Sequence, residues 1–314
     1  MPRALRIEYP DAVYHVMNRG NQRRNIFRDD ADRRRFLETL GEACAKTGWQ
    51  IHAYCLMRNH FHLVLETPGA NLVAGMKWLL GVYTKRFNIR HKTCGHLFAG
   101  RYKAMVVDGS GNGYLRTVCD YVHLNPVRAR LLRPGAPLTA FPWSSYGDYL
   151  QPPPQRPGWL RTDRLLGEKA IPKDSPAGRR EFARLMEERR RRESDADYGP
   201  VRGGGCLGDA AFRQELLERG QPVGASHYGG ERHERDEAKA RRLVAEQLQR
   251  LGWPAAELAQ RRKGDPEKVA LARRLHAETT MTLKWIAGEL HMGSWTYVSN
   301  LLGRKEPRSV KSED

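Results

Sequence analysis

Two histidines one residue apart, His60 and His62, lie in the stretch MRNHFHLVLETP (57–68). Phe61, Leu63 and Leu65 alternate with His60, His62 and Val64, which predicts a β-strand with both imidazoles on one face. Two imidazoles one pleat apart can share a metal ion, and since imidazole suits several divalent ions the pair does not name the metal. The same spacing also describes two ordinary half-exposed sheet histidines. A second stretch, YVHLNPVRA (121–129), offers a partner chemistry. Tyr121 and Asn125 are four apart and share a face on a helix expected from about Asn112. Pro126 disfavours helix at Asn125, so the helix should end there and leave the Asn125 amide free to reach a ligand. A tyrosine nucleophile, an asparagine oxygen and two histidines would together make a metal-assisted phosphoryl-transfer site.

The elements that must position these groups can be read from periodicity. Ala12 to Gly20 alternates as a first strand, with Val13, His15 and Met17 opposite Tyr14 and Val16; His15 reads as a sheet residue. Asp29 or Asp30 caps a helix whose stripe is Phe36, Leu37, Leu40 and Cys44, ended by Gly48. Trp49 to Leu56 is a second strand, turning at Arg58-Asn59 into the histidine strand. Leu72, Met76, Leu79, Leu80, Tyr83 and Phe87 mark a second helix, and Arg101 to Val107 a fourth strand. The order β-α-β-β-α-β followed by the Tyr121 helix predicts an α+β, ferredoxin-like antiparallel sheet with packed helices.

The chain has 314 residues with 54 Lys+Arg against 36 Asp+Glu, a net charge of +18, and basic residues are in excess in both halves. Such a balance favours a polyanionic partner, nucleic acid before membrane. No apolar run reaches a membrane span and the N-terminus has no apolar leader, so a cytoplasmic protein is expected. The cysteines at 44, 55, 94, 119 and 206 show neither a CxxC nor a secreted-scaffold spacing, which fits a reducing compartment.

Four regions are expected: a first domain over 1–150, a Pro/Gly/Arg-rich linker with short helices over 151–235, a helical domain over 236–306 and a polar tail over 307–314. QPPPQRPG (151–158) opens the linker. Residues 177–193 read as a charged helix, Ala210 to Glu218 as a short one, and the GGG at 203–205 lacks the lysine of a phosphate loop. In LKWIAGELHMGSWTYVSNLLGR (283–304) two helices flank a turn at Gly293, with Ser294 as N-cap of the second. This resembles a helix-turn-helix, whose second helix enters the major groove. Ser299, Asn300 and Arg304 are its candidate contacts to duplex DNA. A helical bundle that only packs has the same pattern.

Residues 1–150 resemble the single-tyrosine HUH transposases, closest to the REP-associated tyrosine transposases. Five blocks in order carry the resemblance: YHVMNRGNQRRNIF (14–27), the MRNHFHLVLETP strand, GHLFAGRYKAMVV (95–107), YVHLNPVRA and WSSYGDYL (143–150). The resemblance implies that His60, His62 and Asn125 ligate Mg²⁺ or Mn²⁺ and that Tyr121 attacks DNA to form a covalent 5′-phosphotyrosine. Tyr114, one heptad earlier, is a weaker rival nucleophile. His123 is read as structural or DNA-positioning, and Glu66 as an outer group or a plain strand-edge carboxylate. The implied substrate is a single-stranded hairpin or palindrome, held by phosphate contacts from Arg19, Arg23, Arg24, Arg101, Lys103 and Arg128. Relatives include monomers and homodimers, so either state is expected. The alternatives are a catalytically silent hairpin-binding regulator and a metallo-nuclease that uses water.

Overall fold

The period-two alternation read in the sequence is realised as a sheet. The computed structural model describes residues 7–192, 198, 199, 201, 205–219 and 230–303. Strands β1 (Ala12–Arg19), β2 (Gln50–Met57), β3 (His60–Thr67) and β4 (Lys103–Val107) each run antiparallel to the strand paired beside them, β2 with β3, β3 with β1 and β1 with β4. Helices α1 (Asp30–Thr47) and α2 (Leu72–His91) connect them in β-α-β-β-α-β order, the ferredoxin-like arrangement. The short β5 (Cys206–Leu207) adds to the β4 edge in parallel.

Local chemistry sets the ends of α1. Asp29 accepts a hydrogen bond from the Asp32 amide at 3.0 Å, and Gly48 takes the left-handed conformation (φ 75°) with its N–H on the Cys44 carbonyl. These are the expected N-cap and C-cap devices. On the α1/α2 side the sheet presents Tyr14, Val16, Phe61 and Leu63. Phe61 meets Phe36 of α1 with ring centroids 4.9 Å apart, and Phe36 meets Tyr83 of α2 at 5.0 Å. Gly75 lets α2 approach Trp49: a Cβ there would lie 2.1 Å from the indole.

The other side of the sheet is covered by α3 (Tyr114–His123) and by segments after residue 140. The outer edge of β2 is paired by chain rather than water. Leu56 N–H donates to Trp143 O, Ser145 N–H to Tyr54 O, Ile51 N–H to Trp159 O and Arg161 N–H to Ile51 O. An open strand edge has unmet backbone groups, and these loops satisfy them.

The first compact unit therefore runs well past the expected boundary at 150, over Met1–Val223; the second is Gly224–Asp314. Residues 151–192 are not a free linker. The helices Asp163–Glu168 and Pro176–Arg192 bury Leu165, Leu166, Phe182 and Met186 in the core of the sheet domain. The Pro-rich stretch stops a helix, as composition requires, but Arg156 then bonds Asp174 and the Tyr149 carbonyl and pins it. The charged helix read at 177–193 is the helix Pro176–Arg192. Most of the 203–205 glycine run lies outside the described residues.

The second unit has its own core, built from Leu243, Leu271, Leu275, Ile286, Leu290 and Val298. The helix Pro266–Glu278 is capped by Asp265, and Thr282 caps Leu283–Glu289. A left-handed Gly293 then turns the chain into Trp295–Gly303, whose Tyr297 amide is held by Ser294 Oγ at 3.2 Å. Lys268 is buried at this turn with Nζ on the carbonyls of Leu258 (2.9 Å) and His291 (3.1 Å). Among the described residues no helix is long and apolar enough to cross a membrane.

Candidate active site

The histidine strand β3 lies inside the sheet between β2 and β1, so backbone bonds on both edges hold it rigid. Its register pairs His60 with Arg19 and His62 with Met17 on β1. His60 and His62 project from the α3 side, with ring centroids 5.1 Å apart. His60 is half-buried and His62 fully buried.

The two Nδ1 atoms are engaged. Asn59 Oδ1 can only accept, so the 2.8 Å contact is a bond donated by His60 Nδ1. The Asn59 amide is oriented for this because its Nδ2 donates to the Arg23 carbonyl at 3.2 Å. His62 Nδ1 lies 2.9 Å from Nε2 of His15 on β1. Neither Nε2 of the pair is hydrogen-bonded to another described residue. Burial lowers the pKa of both rings, helped by Arg19 at His60 and by His15, His60 and Arg128 at His62. Neutral imidazoles with a bonded Nδ1 and an open Nε2 are the form in which histidine ligates a metal. The donor set therefore fits a divalent cation. Among the described residues no group of three or more His, Cys, Asp or Glu is arranged to hold a metal.

Tyr121 is the aromatic residue that α3 lays on these rings. Its centroid is 5.7 Å from His15 and 5.8 Å from His62. Among the described residues Tyr114 makes no ring contact with a histidine; it is half-buried at the start of α3. Arg128 backs Tyr121: its guanidinium carbon sits 4.1 Å from the ring centroid and the group bonds the Tyr121 carbonyl.

Asn125 is buried but does not share the Tyr121 helix, contrary to the sequence expectation. Helix α3 ends at His123, and Asn125 opens the four-residue helix α4 (Asn125–Arg128). Pro126 has no N–H to continue the ladder, so the chain breaks at Leu124 and restarts, with proline in the first turn where it is tolerated. Helix α4 packs on β2, the neighbour of the histidine strand. The Asn125 amide takes no hydrogen bond from another described residue.

His123 points away from Tyr121 as its offset predicts. Its Nε2 meets Ser145 Oγ at 2.8 Å, and its ring meets Tyr149 and Phe182. Burial takes its pKa down to about 3. Glu66 joins a buried network with His52 (3.1 Å), Arg164 (2.6 Å) and Arg161 (3.3 Å). Burial alone would raise its carboxyl pKa, but the bonds from His52 and Arg164 outweigh this and hold it at about 2.

Arg19, Arg23, Arg24, Arg101 and Lys103 are exposed and make no ion pair with another described residue. Arg19 lies opposite His60, and Lys103 on β4 opposite Met17, so both flank the His60 end of the sheet. Arg128 differs: it is half-buried against Tyr121 and Tyr198. Ser299 and Asn300 are exposed on the last helix of the second unit, beside Trp295 (54% exposed) and Tyr297 (41%). Arg304 lies outside the described residues. Sequence reading missed His15 and Tyr198 as neighbours of Tyr121. His15 carried a signal, its shared phase with Val13 and Met17, but only strand register aligns it with His62. Tyr198, whose ring lies 5.3 Å from Tyr121, carried none.

Residues 8–125 match the family model described as IS200-like transposase. No curated protein matches the chain. A solved structure of a REP-associated tyrosine transposase bound to a REP hairpin aligns with 13% identity and a TM-score of 0.39, covering 47% of this chain and 84% of that one. The matched segment holds the histidine pair, Tyr121 and Asn125, and over it this chain is similar to the IS200-like transposases.

Proposed function

We propose that this protein is a metal-dependent single-stranded DNA endonuclease and strand transferase that cuts hairpin or palindromic DNA through a covalent 5′-phosphotyrosine. The observation that carries this reading is the Tyr121 ring packed on His15 and His62, beside two neutral histidines with open Nε2 atoms. His60, His62 and Asn125 would hold Mg²⁺ or Mn²⁺. That ion, when bound, neutralises charge on the non-bridging phosphate oxygens.

The chain's own residues supply the rest. The sheet holds the histidines in place, and α3 brings the Tyr121 hydroxyl to the same face. Attack by Tyr121 Oη forms the Tyr–O–P bond and breaks the P–O3′ bond, and the leaving 3′ oxygen takes up a proton. The phosphodiester energy stays in the phosphotyrosine, so a later 3′-hydroxyl can rejoin the strand without a high-energy cofactor. Arg128 supports the Tyr121 ring, which is its assigned role here in preference to a direct phosphate contact. Arg19, Arg23, Arg24, Arg101 and Lys103 would bind the strand backbone, their charges not offset by paired carboxylates among the described residues. The catalytic module is assigned to the sheet domain and duplex binding to the helical unit, whose last helix exposes Trp295, Tyr297, Ser299 and Asn300.

The test is a labelled single-stranded palindrome from beside the protein's own gene, incubated with Mg²⁺ or Mn²⁺ and run on a denaturing protein gel. A labelled protein band that needs metal and vanishes in Tyr121→Phe is expected. Cleavage without an adduct would assign the attack to water, and binding with neither would assign the protein to regulation. Sizing with and without the hairpin decides between monomer and homodimer.

A further inference from the structure

The two proposed histidine ligands are held in different ways. His60 gives its Nδ1 proton to an amide oxygen, which leaves no choice of tautomer. His62 instead faces another imidazole, and the 2.9 Å between His62 Nδ1 and His15 Nε2 holds one proton. A neutral imidazole has one donor and one acceptor nitrogen. If His15 Nε2 carried the proton, His62 would be protonated at Nε2 and could not ligate. If His62 Nδ1 carries it, the Nε2 lone pair is open.

We propose that His15 is the positioning residue of the site: its Nε2 accepts the Nδ1–H of His62 and so holds His62 in the ligating tautomer. This rests on the metal-dependent reading above and adds a residue to it. Three observations support it. His15 is buried on β1, the strand hydrogen-bonded to β3, so its position is set by the sheet. The His15 and His62 rings lie nearly parallel, 16° apart with centroids at 5.2 Å, which limits rotation of either. The same His15 ring also meets Tyr121 at 5.7 Å, so one side chain orders both the ligand and the nucleophile. Ligating histidines ordinarily donate their second N–H to a carboxylate, carbonyl or water. A neutral imidazole in that place orients His62 without adding a buried negative charge that would repel the DNA phosphate.

The experiment compares Mn²⁺ affinity, by calorimetry, in the full-length protein and in His15→Leu, His15→Gln and His62→Ala. Glutamine can put an acceptor oxygen near the place of His15 Nε2, whereas leucine cannot. His15→Leu is expected to bind Mn²⁺ about 10- to 100-fold more weakly, and His15→Gln to recover most of that loss. Wild-type affinity in His15→Leu, or equal loss in both variants, would overturn the inference while leaving the metal reading intact. No Mn²⁺ binding by the wild-type protein would overturn both. Should His15→Leu fail to fold, the Mg²⁺-loaded wild-type protein labelled with ¹⁵N-histidine decides. Its histidine ¹H–¹⁵N spectrum should show the shared proton bonded to His62 Nδ1, and a proton bonded to His15 Nε2 would overturn the proposal.

Discussion

The two faces of one sheet have opposite contents. On the α1/α2 face, Tyr14, Val16, Phe61 and Leu63 meet Phe36, Leu40 and Tyr83, and the two polar tips among these donate to backbone, Tyr83 Oη to the Ile26 carbonyl at 2.6 Å and Tyr14 Oη to the Ile7 carbonyl at 3.0 Å. On the α3 face, the same strands present His15, His60, His62 and Glu66. Alternate residues of each strand serve stability on one side and chemistry on the other, because the pleat sends neighbours to opposite faces. The apolar face can give the domain its cohesion, so the other face is free to bury imidazoles that no folding argument requires. Of its buried polar groups, His15 and His62 are bonded as a pair and Glu66 joins a network with His52 and Arg164, as burial favours.

Substitutions on the two faces should therefore separate activity from stability. The largest effect is expected from Tyr121→Phe, which removes one hydroxyl and keeps the ring contacts. Covalent labelling of DNA should fall by about 10⁴-fold or more. Unfolding free energy should stay within about 0.5 kcal/mol of wild type, by urea denaturation. On the opposite face Phe61→Ala should cost about 3–5 kcal/mol of stability, since a buried aromatic leaves a cavity. The fraction that remains folded should still label DNA, and loss of labelling per folded molecule would show that the faces are not separable.

Glu66 lies on the chemical face but serves stability. Its carboxyl is held at about 2, below the ordinary 4.5, so its contribution is present above pH 4.5 and is lost as pH falls towards 2. Glu66→Gln should thus be about 2 kcal/mol less stable than wild type near pH 7, with the gap closing between pH 4.5 and 2. A gap that keeps its full size down to about pH 2 would assign the loss to packing with Arg161 and Arg164. The smallest effect is expected in the second unit. Asn300→Ala should weaken duplex DNA binding by about 1 kcal/mol in fluorescence anisotropy and leave hairpin labelling unchanged. A loss of labelling there would join the two units in one activity.

Local readings and long-range ones fared differently. The strands, the helices and their caps at Asp29, Gly48 and Ser294 follow from short-range rules, since periodicity and capping involve residues within one or two turns. The joint placement of His60 and His62 was legible for the same reason. The helix through Tyr121 and Asn125 was drawn one step too long, because proline can restart a helix as well as stop it. The stretch after residue 150 was read as a linker because its Pro and Arg content hid the apolar positions Leu165, Leu166, Phe182 and Met186.

By itself the sequence determined the order of elements, the shared face of the histidine pair and the strong basic charge, all properties of local pattern or composition. Only the tertiary structure decided that His15 faces His62, that Tyr121 rather than Tyr114 reaches the histidines, and that residues 143–161 close the open edge of β2. Those contacts join residues far apart in the chain, and strand register together with helix packing sets them, which no local pattern encodes.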